Sequence, residues 1–139
     1  MPDDKFDLAR IGKEAVTEGR LFQLRTKLGL SRNAMADMLH TSFITYTSWE
    51  HQPRVRLWPS TATRIGAFYK AAVAAIEEHE AHGGEPLDQL LPFHIVATYC
   101  GVPQEQLLQW FRDGQFEAVD LGILGLWVHR DEMERSLKR

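Results

Sequence analysis

The stretch "MADMLHTSFITYTSWE", residues 35–50, places hydroxyl-bearing, aromatic and β-branched side chains directly after a short polar turn. We predict a helix capped by Ser42, with Tyr46 and Trp49 packed inward because they lie on one helical face. The side chains left for the outer face are Ser42, Phe43, Ile44, Thr45, Thr47 and Ser48. Hydroxyl groups at such positions can hydrogen-bond to base edges in the major groove of DNA, and exposed apolar side chains can contact the thymine methyl group. The alternative is that the Phe and Ile side chains belong to the core or to a protein interface.

A second stretch of the same kind, "PQEQLLQWFRDG", occupies residues 103–114. It predicts a helix whose apolar residues face the core and whose polar residues are exposed. The exposed set is Gln104, Glu105, Gln106, Gln109 and Arg112. Glutamine can form two hydrogen bonds with adenine, and glutamate can accept one from cytosine. A glutamate at such a surface favours specificity over affinity, so other residues would supply much of the attraction to phosphate.

Arginine side chains flank the first of these helices and could supply that attraction. Arg32 opens the preceding helix, whereas Arg54 and Arg56 follow on a loop from which they could pair with phosphates or enter a minor groove. The net charge of −3 conceals an asymmetry, since residues 20–70 have a local balance of +6 and residues 71–92 one of −5. This pattern argues against a generic polyanion binder and for one basic module. The alternative for the arginines is ordinary surface charge.

Caps and breakers predict three short helices in the first part of the chain. The first follows the capping residue Thr17 and ends at Gly29, and the second follows Ser31. The third follows Ser42 and is ended by Pro53. Together they provide the apolar stripes of a small core.

A longer, alanine-rich helix is predicted next, after Ser60 as the cap and before Gly83 and Gly84 as the stop. Its early apolar residues are expected to close the first core, and its later acidic part to form a solvated spacer. Because two glycines make only a short break, one continuous helical bundle is the alternative to two domains.

The second half of the chain predicts two helices, a hairpin and a last helix. Pro92 suits a first helical turn, and Gly101 suits a left-handed helix stop. After the helix of residues 103–114, two β-prone segments, Phe116–Val119 and Leu126–Val128, flank a glycine-bearing turn. The final "RDEMERSLKR" returns to helix, with acidic residues early and basic residues late.

The two short helix pairs share one pattern at a spacing of 61 residues. A helix-turn-helix needs a small residue where its helices approach, a tight turn, and apolar residues that fix the angle between them. These positions are Met35, Ala36, Leu39, Thr41, Tyr46 and Trp49 in the first copy, and Val96, Ala97, Cys100, Val102, Leu107 and Trp110 in the second. The turn residue is Gly101 in the second copy but His40 in the first, where a positive φ would be tolerated rather than preferred.

These motifs resemble those of known protein families. Residues 18–70, with "LRTKLGLSRNAMADMLHTSFITYTSWEH", resemble the Cro and phage-repressor type of helix-turn-helix domain. Residues 92–137, with "ATYCGVPQEQLLQWFRDGQFEAVDLG" and "WVHRDEMERSL", are similar to the winged helix-turn-helix of excisionases and MerR-type regulators. They depart from it at the wing, where Asp120 and the apolar "LGILGLW" replace basic residues. The combination resembles the immunity repressors of temperate mycobacteriophages, which implies transcriptional repression, maintenance of lysogeny and exclusion of related phages.

The expected fold is therefore mainly α, with two small helix-turn-helix domains joined by a long helix and a short β-hairpin wing on the second. The expected boundaries are 1–59 for the first domain, 60–84 for the long helix and 85–139 for the second domain. One chain with two different helix-turn-helix domains is expected to bind an asymmetric operator on double-stranded DNA as a monomer. A symmetric dimer would instead require a palindrome.

Other classes of function receive less support from the sequence. We expect no enzyme, no cofactor and no metal: "EHEAHGG" brings His79, Glu80 and His82 together, but with one residue fewer than a zinc-protease helix needs. The single cysteine, Cys100, has apolar neighbours and is expected to be buried and unreactive. We expect no membrane contact and a cytoplasmic location, since the chain has neither a long apolar run nor a signal-peptide pattern. The resemblance to phage repressors implies that the cell is a bacterial host. The alternatives are an excisionase-like DNA-bending factor and an antitoxin-like adaptor that binds a protein partner.

Overall fold

The computed structural model describes residues 5–52, 54, 56–84 and 87–137. Over this part of the chain the protein is mainly helical, with a small three-stranded antiparallel sheet. The helices are α1 (Lys5–Thr17), α2 (Arg20–Leu28), α3 (Arg32–Met38), α4 (Phe43–His51), α5 (Pro59–Ala81), α6 (Phe93–Cys100), α7 (Gln104–Arg112) and α8 (Arg130–Leu137). The strands are β1 (Leu90–Pro92), β2 (Val119–Asp120) and β3 (Leu126–His129), and short 3-10 turns occupy Leu87–Gln89 and Gly122–Leu124.

The chain divides into two compact units, Met1–Ala74 and Ala75–Arg139, and the division falls inside α5. This division does not test the expected domain boundaries, 1–59, 60–84 and 85–139, which remain a prediction. No helix in the described ranges is both long enough and apolar enough to cross a membrane.

The core of the first unit is built mainly from α2 to α5, and Ala15 and Val16 of α1 are also buried in the first unit. Each helix contributes apolar residues at helical spacing, which places them on one face. The buried set includes Leu21, Leu24, Leu28, Met35, Leu39, Tyr46, Trp49, Ile65 and Phe68. The early part of α5 therefore closes the first core, as its sequence predicted.

An additional helix, α1, packs against α5 through two glycines, which the sequence did not predict. A side chain at Gly12 would collide with the carbonyl of Ala62, and one at Gly66 would collide with the carbonyl of Leu8. The two backbones thus approach so closely that neither position has room for a Cβ atom.

The structure confirms some predicted caps and corrects others. Ser31 and Ser42 each accept a hydrogen bond from the amide three residues later, as expected for N-caps. Thr17, by contrast, is the last residue of α1, and α2 starts after Gly19, whose φ is 70°. Ser60 is not a cap either, because α5 begins one residue earlier at Pro59, where the fixed φ of proline suits a first helical turn. Pro53, the predicted end of the third helix, lies outside the described residues; the helix ends at His51.

Predicted stops at glycine are correct at three positions. Gly29 and Gly101 adopt φ values of 68° and 69° at the ends of α2 and α6. Gly83, with φ 69°, follows α5, and the amide of Gly84 donates to the carbonyl of His79. Such left-handed residues satisfy the last carbonyls of a helix, and glycine adopts them without a Cβ penalty.

The second unit contains the sheet, in the order β1-β3-β2. Strand β3 pairs with β2 through Val119 opposite Trp127, which confirms a hairpin, although only Val119 of the predicted first segment is in the strand and Asp120 is added to it. Strand β1 was not predicted; its Leu91 lies opposite Val128. Pro92 ends β1 and caps α6, so it precedes the helix and is not part of its first turn.

The later part of α5 belongs to the core of the second unit rather than to a fully solvated spacer. Ile76 is buried, and Ala75 lies beside Gly122 of the segment that joins β2 to β3. The acidic residues Glu77, Glu78 and Glu80 are exposed, as expected. The later part of α5 was predicted to be solvated, but its apolar side is packed. A few small or apolar residues are enough to pack one side of a helix.

Candidate nucleic-acid interface

The first helix pair, α3 and α4, and the second helix pair, α6 and α7, begin their helices at the predicted spacing. Helices α3 and α6 begin at Arg32 and Phe93, and α4 and α7 begin at Phe43 and Gln104, both 61 residues apart. The sequence offset is therefore also an offset in structure.

The turns within the two pairs match as well. His40 has φ 55° and Gly101 has φ 69°, so both adopt the left-handed conformation. The next amide, of Thr41 in one pair and Val102 in the other, donates to the carbonyl five residues earlier at 3.0 Å and 3.1 Å. Within the described ranges His40 is the only non-glycine residue with a positive φ, and its side chain is exposed.

Most of the predicted inward positions are buried in both pairs. Ala36 and Ala97, the small residues where the helices approach, are 2% and 3% exposed. Tyr46 and Leu107 are buried at the next matched position. Trp110 and Cys100, in contrast, are only partly buried, whereas their counterparts in the first pair are buried.

The start of α4 presents apolar side chains to solvent. Phe43 is 44% exposed and Ile44 is 80% exposed, so neither belongs to the core of the first unit. Ser42 and Thr45 are exposed and bonded to each other: the Ser42 hydroxyl accepts from the Thr45 amide and donates to the Thr45 hydroxyl at 2.9 Å. Both hydroxyl groups thus help to hold the first turn of the helix.

The later part of the predicted α4 face needs a correction. Thr47 and Ser48 are half-buried, and the Thr47 hydroxyl oxygen is buried with no hydrogen-bond partner in the described ranges. Thr47 was expected to be exposed, but it lies next to the inward Tyr46 around the helix. His51 is exposed and was missed; its spacing from Ile44 and Ser48 places these three residues on one side of α4.

The outer face of α7 is exposed throughout, as predicted. It consists of Gln104, Glu105, Gln106, Gln109 and Arg112. The Gln109 amide donates to Asp113 at 2.9 Å, which leaves its carbonyl oxygen toward solvent. At the 61-residue offset, Glu105, Gln109 and Arg112 match Ile44, Ser48 and His51, so the two faces correspond in position but differ in chemistry.

A buried carboxylate joins two of the arginines beside α4. Arg25 donates to both oxygens of Glu50, at 2.7 Å and 3.0 Å, and Arg32 donates its Nε to one of them at 3.3 Å. The Glu50 side chain is 4% exposed, the Arg25 side chain 15% and the Arg32 side chain 37%. The cluster carries a net charge of +1, and its most accessible member is Arg32.

Burial, the largest single influence, raises the pKa of Glu50, but the hydrogen bonds and positive charge of Arg25, together with Tyr46 and Arg32, hold the pKa below its ordinary value. The same hydrogen bonds raise the pKa of Arg25. Glu50 therefore stays ionised in the folded protein. Arg32 has a partner that the sequence did not predict, since 18 residues separate it from Glu50.

The accessible positive charge of the first unit is smaller than the residue count suggests. Arg20 pairs with Glu18 at 2.6 Å and with Glu14 at 3.7 Å, and Glu50 offsets one of the two arginines beside it. Arg54 and Arg56 are both exposed, on the non-helical segment that follows α4. Of the three arginines predicted around α4, these two are the exposed ones, whereas Arg32 is partly buried.

The hairpin of the second unit is anchored inward. Leu121 and Leu124 are buried, and the fully buried Trp127 donates its indole N–H to the Leu124 carbonyl at 2.9 Å. Asp120 accepts from the Gly122 amide. This connection therefore serves as packing for the core, which accounts for the apolar residues at a place where basic residues were the family expectation.

Two histidines lie near the end of α5: His79 within the helix and His82 just after it. The His79 ring lies against Gly84, and His82 Nδ1 is 2.8 Å from the Glu78 carbonyl. The part of the chain that the structure describes contains no group of three His, Cys, Asp or Glu side chains arranged to hold a metal ion.

Comparisons with family models, with curated proteins and with solved structures produced no match to this chain.

Proposed function

We propose that this protein is a sequence-specific double-stranded DNA-binding protein with two helix-turn-helix units, and that it acts as a transcriptional repressor. The observation that carries the proposal is the repeated helix pair. Two pairs with matched helix starts, matched left-handed turns and outward faces at matched positions support two readers built on one plan.

In the first reader, α4 enters the major groove. Phe43 and Ile44 contact thymine methyl groups, and Ser42, Thr45 and Ser48 offer hydroxyls to base edges. The exposure of Ser42, Phe43, Ile44 and Thr45 supports this role, and Ser48 is half-buried on the same side of the helix. For Thr47 the buried hydroxyl favours a role in packing. His51 adds a polar group at the far end of the same side.

Phosphate contacts come from the arginines around that helix. Arg54 and Arg56 are exposed beside α4, and Arg32 uses its Nε for Glu50 while its terminal nitrogens can reach a phosphate. In this arrangement Glu50 orients Arg32, because a bonded guanidinium loses less freedom when it binds an anion.

In the second reader, α7 presents amide and charged side chains. Gln104, Gln106 and Gln109 can each form two hydrogen bonds with adenine, and Glu105 can accept from the cytosine amino group. Arg112 can bind guanine or a phosphate. Because the hairpin carries Asp120 and buried apolar residues, the proposal assigns it no phosphate contact.

Since the two faces differ in every matched side chain, one chain would read two dissimilar half-sites. A monomer on an asymmetric operator follows, and binding of one unit raises the effective concentration of the other. Repression by occupancy of a promoter, a role in phage immunity and lysogeny, and a bacterial cytoplasmic location are further parts of the proposal that rest on the family resemblance. No catalytic step or cofactor is assigned.

The test is selection of bound duplexes from a random DNA pool by the full-length protein, followed by sequencing of the bound fraction. We expect one asymmetric consensus, together with a mass of the complex equal to one chain per duplex. A palindrome bound by two chains would overturn the monomer proposal. No enrichment of any sequence would overturn specific binding and favour the protein-binding adaptor, and strong bending of the selected duplex without promoter repression would favour the excisionase-like factor.

A further inference from the structure

The two helix pairs differ in the size of the side chains between their helices. The first pair has Met35, Leu39 and Tyr46 at positions where the second pair has Val96, Cys100 and Leu107. Each residue of the second pair is smaller than its counterpart, although the backbones follow the same plan. The first set is at most 1% exposed, so its larger side chains fill the interior of that unit.

These three smaller residues line a cavity of about 200 Å³ in the second unit. Its walls include Val96, Cys100, Leu107, Trp110, Val128 and Met133. These side chains are hydrocarbon, aromatic or sulfur-bearing, and none except the indole N–H of Trp110 is a strong hydrogen-bonding group. A water molecule normally needs two or more polar partners, so such a space is unfavourable for ordered water.

An apolar cavity of this size matches a small hydrocarbon ligand. Engineered apolar cavities of roughly 150 Å³ stay dry and bind benzene. Cys100 and Trp110 are partly exposed, so a ligand could enter between α6 and α7 without unfolding of the unit.

We propose that the second unit binds one small, uncharged, apolar molecule about the size of benzene between α6, α7 and the β3–α8 segment. The driving forces are dispersion contacts with the walls and removal of the ligand from water, because an unfilled cavity forfeits both. The binding does not depend on the proposed DNA function. Any influence on how α7 meets DNA does rest on that function, since Leu107 and Trp110 belong to α7.

The experiment titrates benzene into the full-length protein, without DNA, and follows the side-chain methyl groups by NMR. We expect saturable shifts at Val96, Leu107, Val128 and Met133, with methyl groups of the first unit unchanged. At a tenfold excess over the Kd, the thermal midpoint of the second unit should rise by about 5 °C or more. No saturable shift at benzene concentrations up to its solubility limit would overturn the proposal.

Matched variants separate the cavity from general hydrophobic binding. Cys100→Leu and Val96→Met introduce the residues that fill the equivalent positions of the first pair, and each should weaken benzene binding at least tenfold. Cys100→Ala removes the thiol without filling the space and should keep binding. If one filling variant fails to fold, the other decides. Unchanged binding in a folded filling variant, or wild-type shifts spread over both units, would show that benzene does not occupy this cavity.

Discussion

At the scale of single residues, the Arg25–Glu50 pair is the strongest electrostatic feature of the described part of the first unit. Its two hydrogen bonds have similar lengths, and its carboxylate is almost fully buried. Such a pair is a weak source of net stability but a costly one to break, because the remaining charge stays partly buried and unpaired. Arg32, which is more than a third exposed, is expected to contribute less than Arg25.

Glu50→Gln is therefore expected to lower the free energy of unfolding by about 3 kcal/mol at neutral pH. Because folding lowers the pKa of Glu50 from 4.5, its stabilisation is present above about pH 4.5 and is lost as the pH falls through the folded-state pKa. Urea unfolding between about pH 3 and pH 7 should show the gap between variant and wild type narrowing at low pH. Glu77→Gln, at an exposed position, is the charge-matched control and should leave stability nearly unchanged. An equal gap at every pH would contradict the role of ionised Glu50.

Arg54 and Arg56 give a second prediction at this scale. The double variant R54Q/R56Q should weaken binding to the selected duplex and make the dependence of log K on log salt less steep by about 2, since each phosphate contact contributes about 0.9. The variant R10Q/K13Q removes the same charge from α1 and should leave that slope unchanged. Salt titration of fluorescence anisotropy measures both. Equal slopes in the two variants would mean that only general charge matters.

At the scale of elements, the contact between α1 and α5 depends on the absence of side chains. At a solvent-exposed helix position, replacing glycine by alanine stabilises the helix by about 1 kcal/mol. At position 66, however, the added methyl group would collide with the Leu8 carbonyl. We expect a net loss of about 2 kcal/mol in the free energy of unfolding of the first unit. Ala67→Gly, at the exposed next position, should cost about 1 kcal/mol from propensity alone. Denaturant unfolding decides the matter, and a Gly66→Ala variant as stable as wild type would show that the helices do not touch there.

The turns of the two helix pairs provide a matched prediction. His40 holds a left-handed φ that costs an L-residue about 1 kcal/mol, so His40→Gly should raise the free energy of unfolding of the first unit by up to that amount. Gly101→Ala should lower that of the second unit by about 1 kcal/mol; the added Cβ has open space, so only φ is at issue. Changes of opposite sign in the two free energies of unfolding would support a shared left-handed turn. Changes of the same sign would refute it.

At the scale of the whole molecule, the proposal depends on two faces with different chemistry in one chain. I44A/S48A should erase one half of the selected consensus, and Q104A/Q109A should erase the other. Each should reduce affinity for the full site by roughly a hundredfold or more, because the remaining unit then binds without its partner. Gln23→Ala, exposed on α2, is the control. Loss of the same half by both variants would show that only one unit reads DNA.

Sequence alone determined the features that depend on near neighbours. Ser31 and Ser42 as caps, Gly29 and Gly101 as stops, and the 61-residue offset of the helix pairs all follow from local backbone preferences and apolar periodicity. The exposed face of α7 was predictable for the same reason, since its polar residues lie opposite an apolar stripe.

Only the tertiary structure decided contacts between distant positions. The approach of Gly12 and Gly66, the partner of Arg32 and the pairing of β1 with β3 each join segments that no periodicity relates. The cavity also belongs to this class, because the sizes of Val96 and Cys100 matter only once the helices that carry them are packed. Periodicity shows which side of a helix is buried, whereas packing alone shows what that side touches and how completely it is filled.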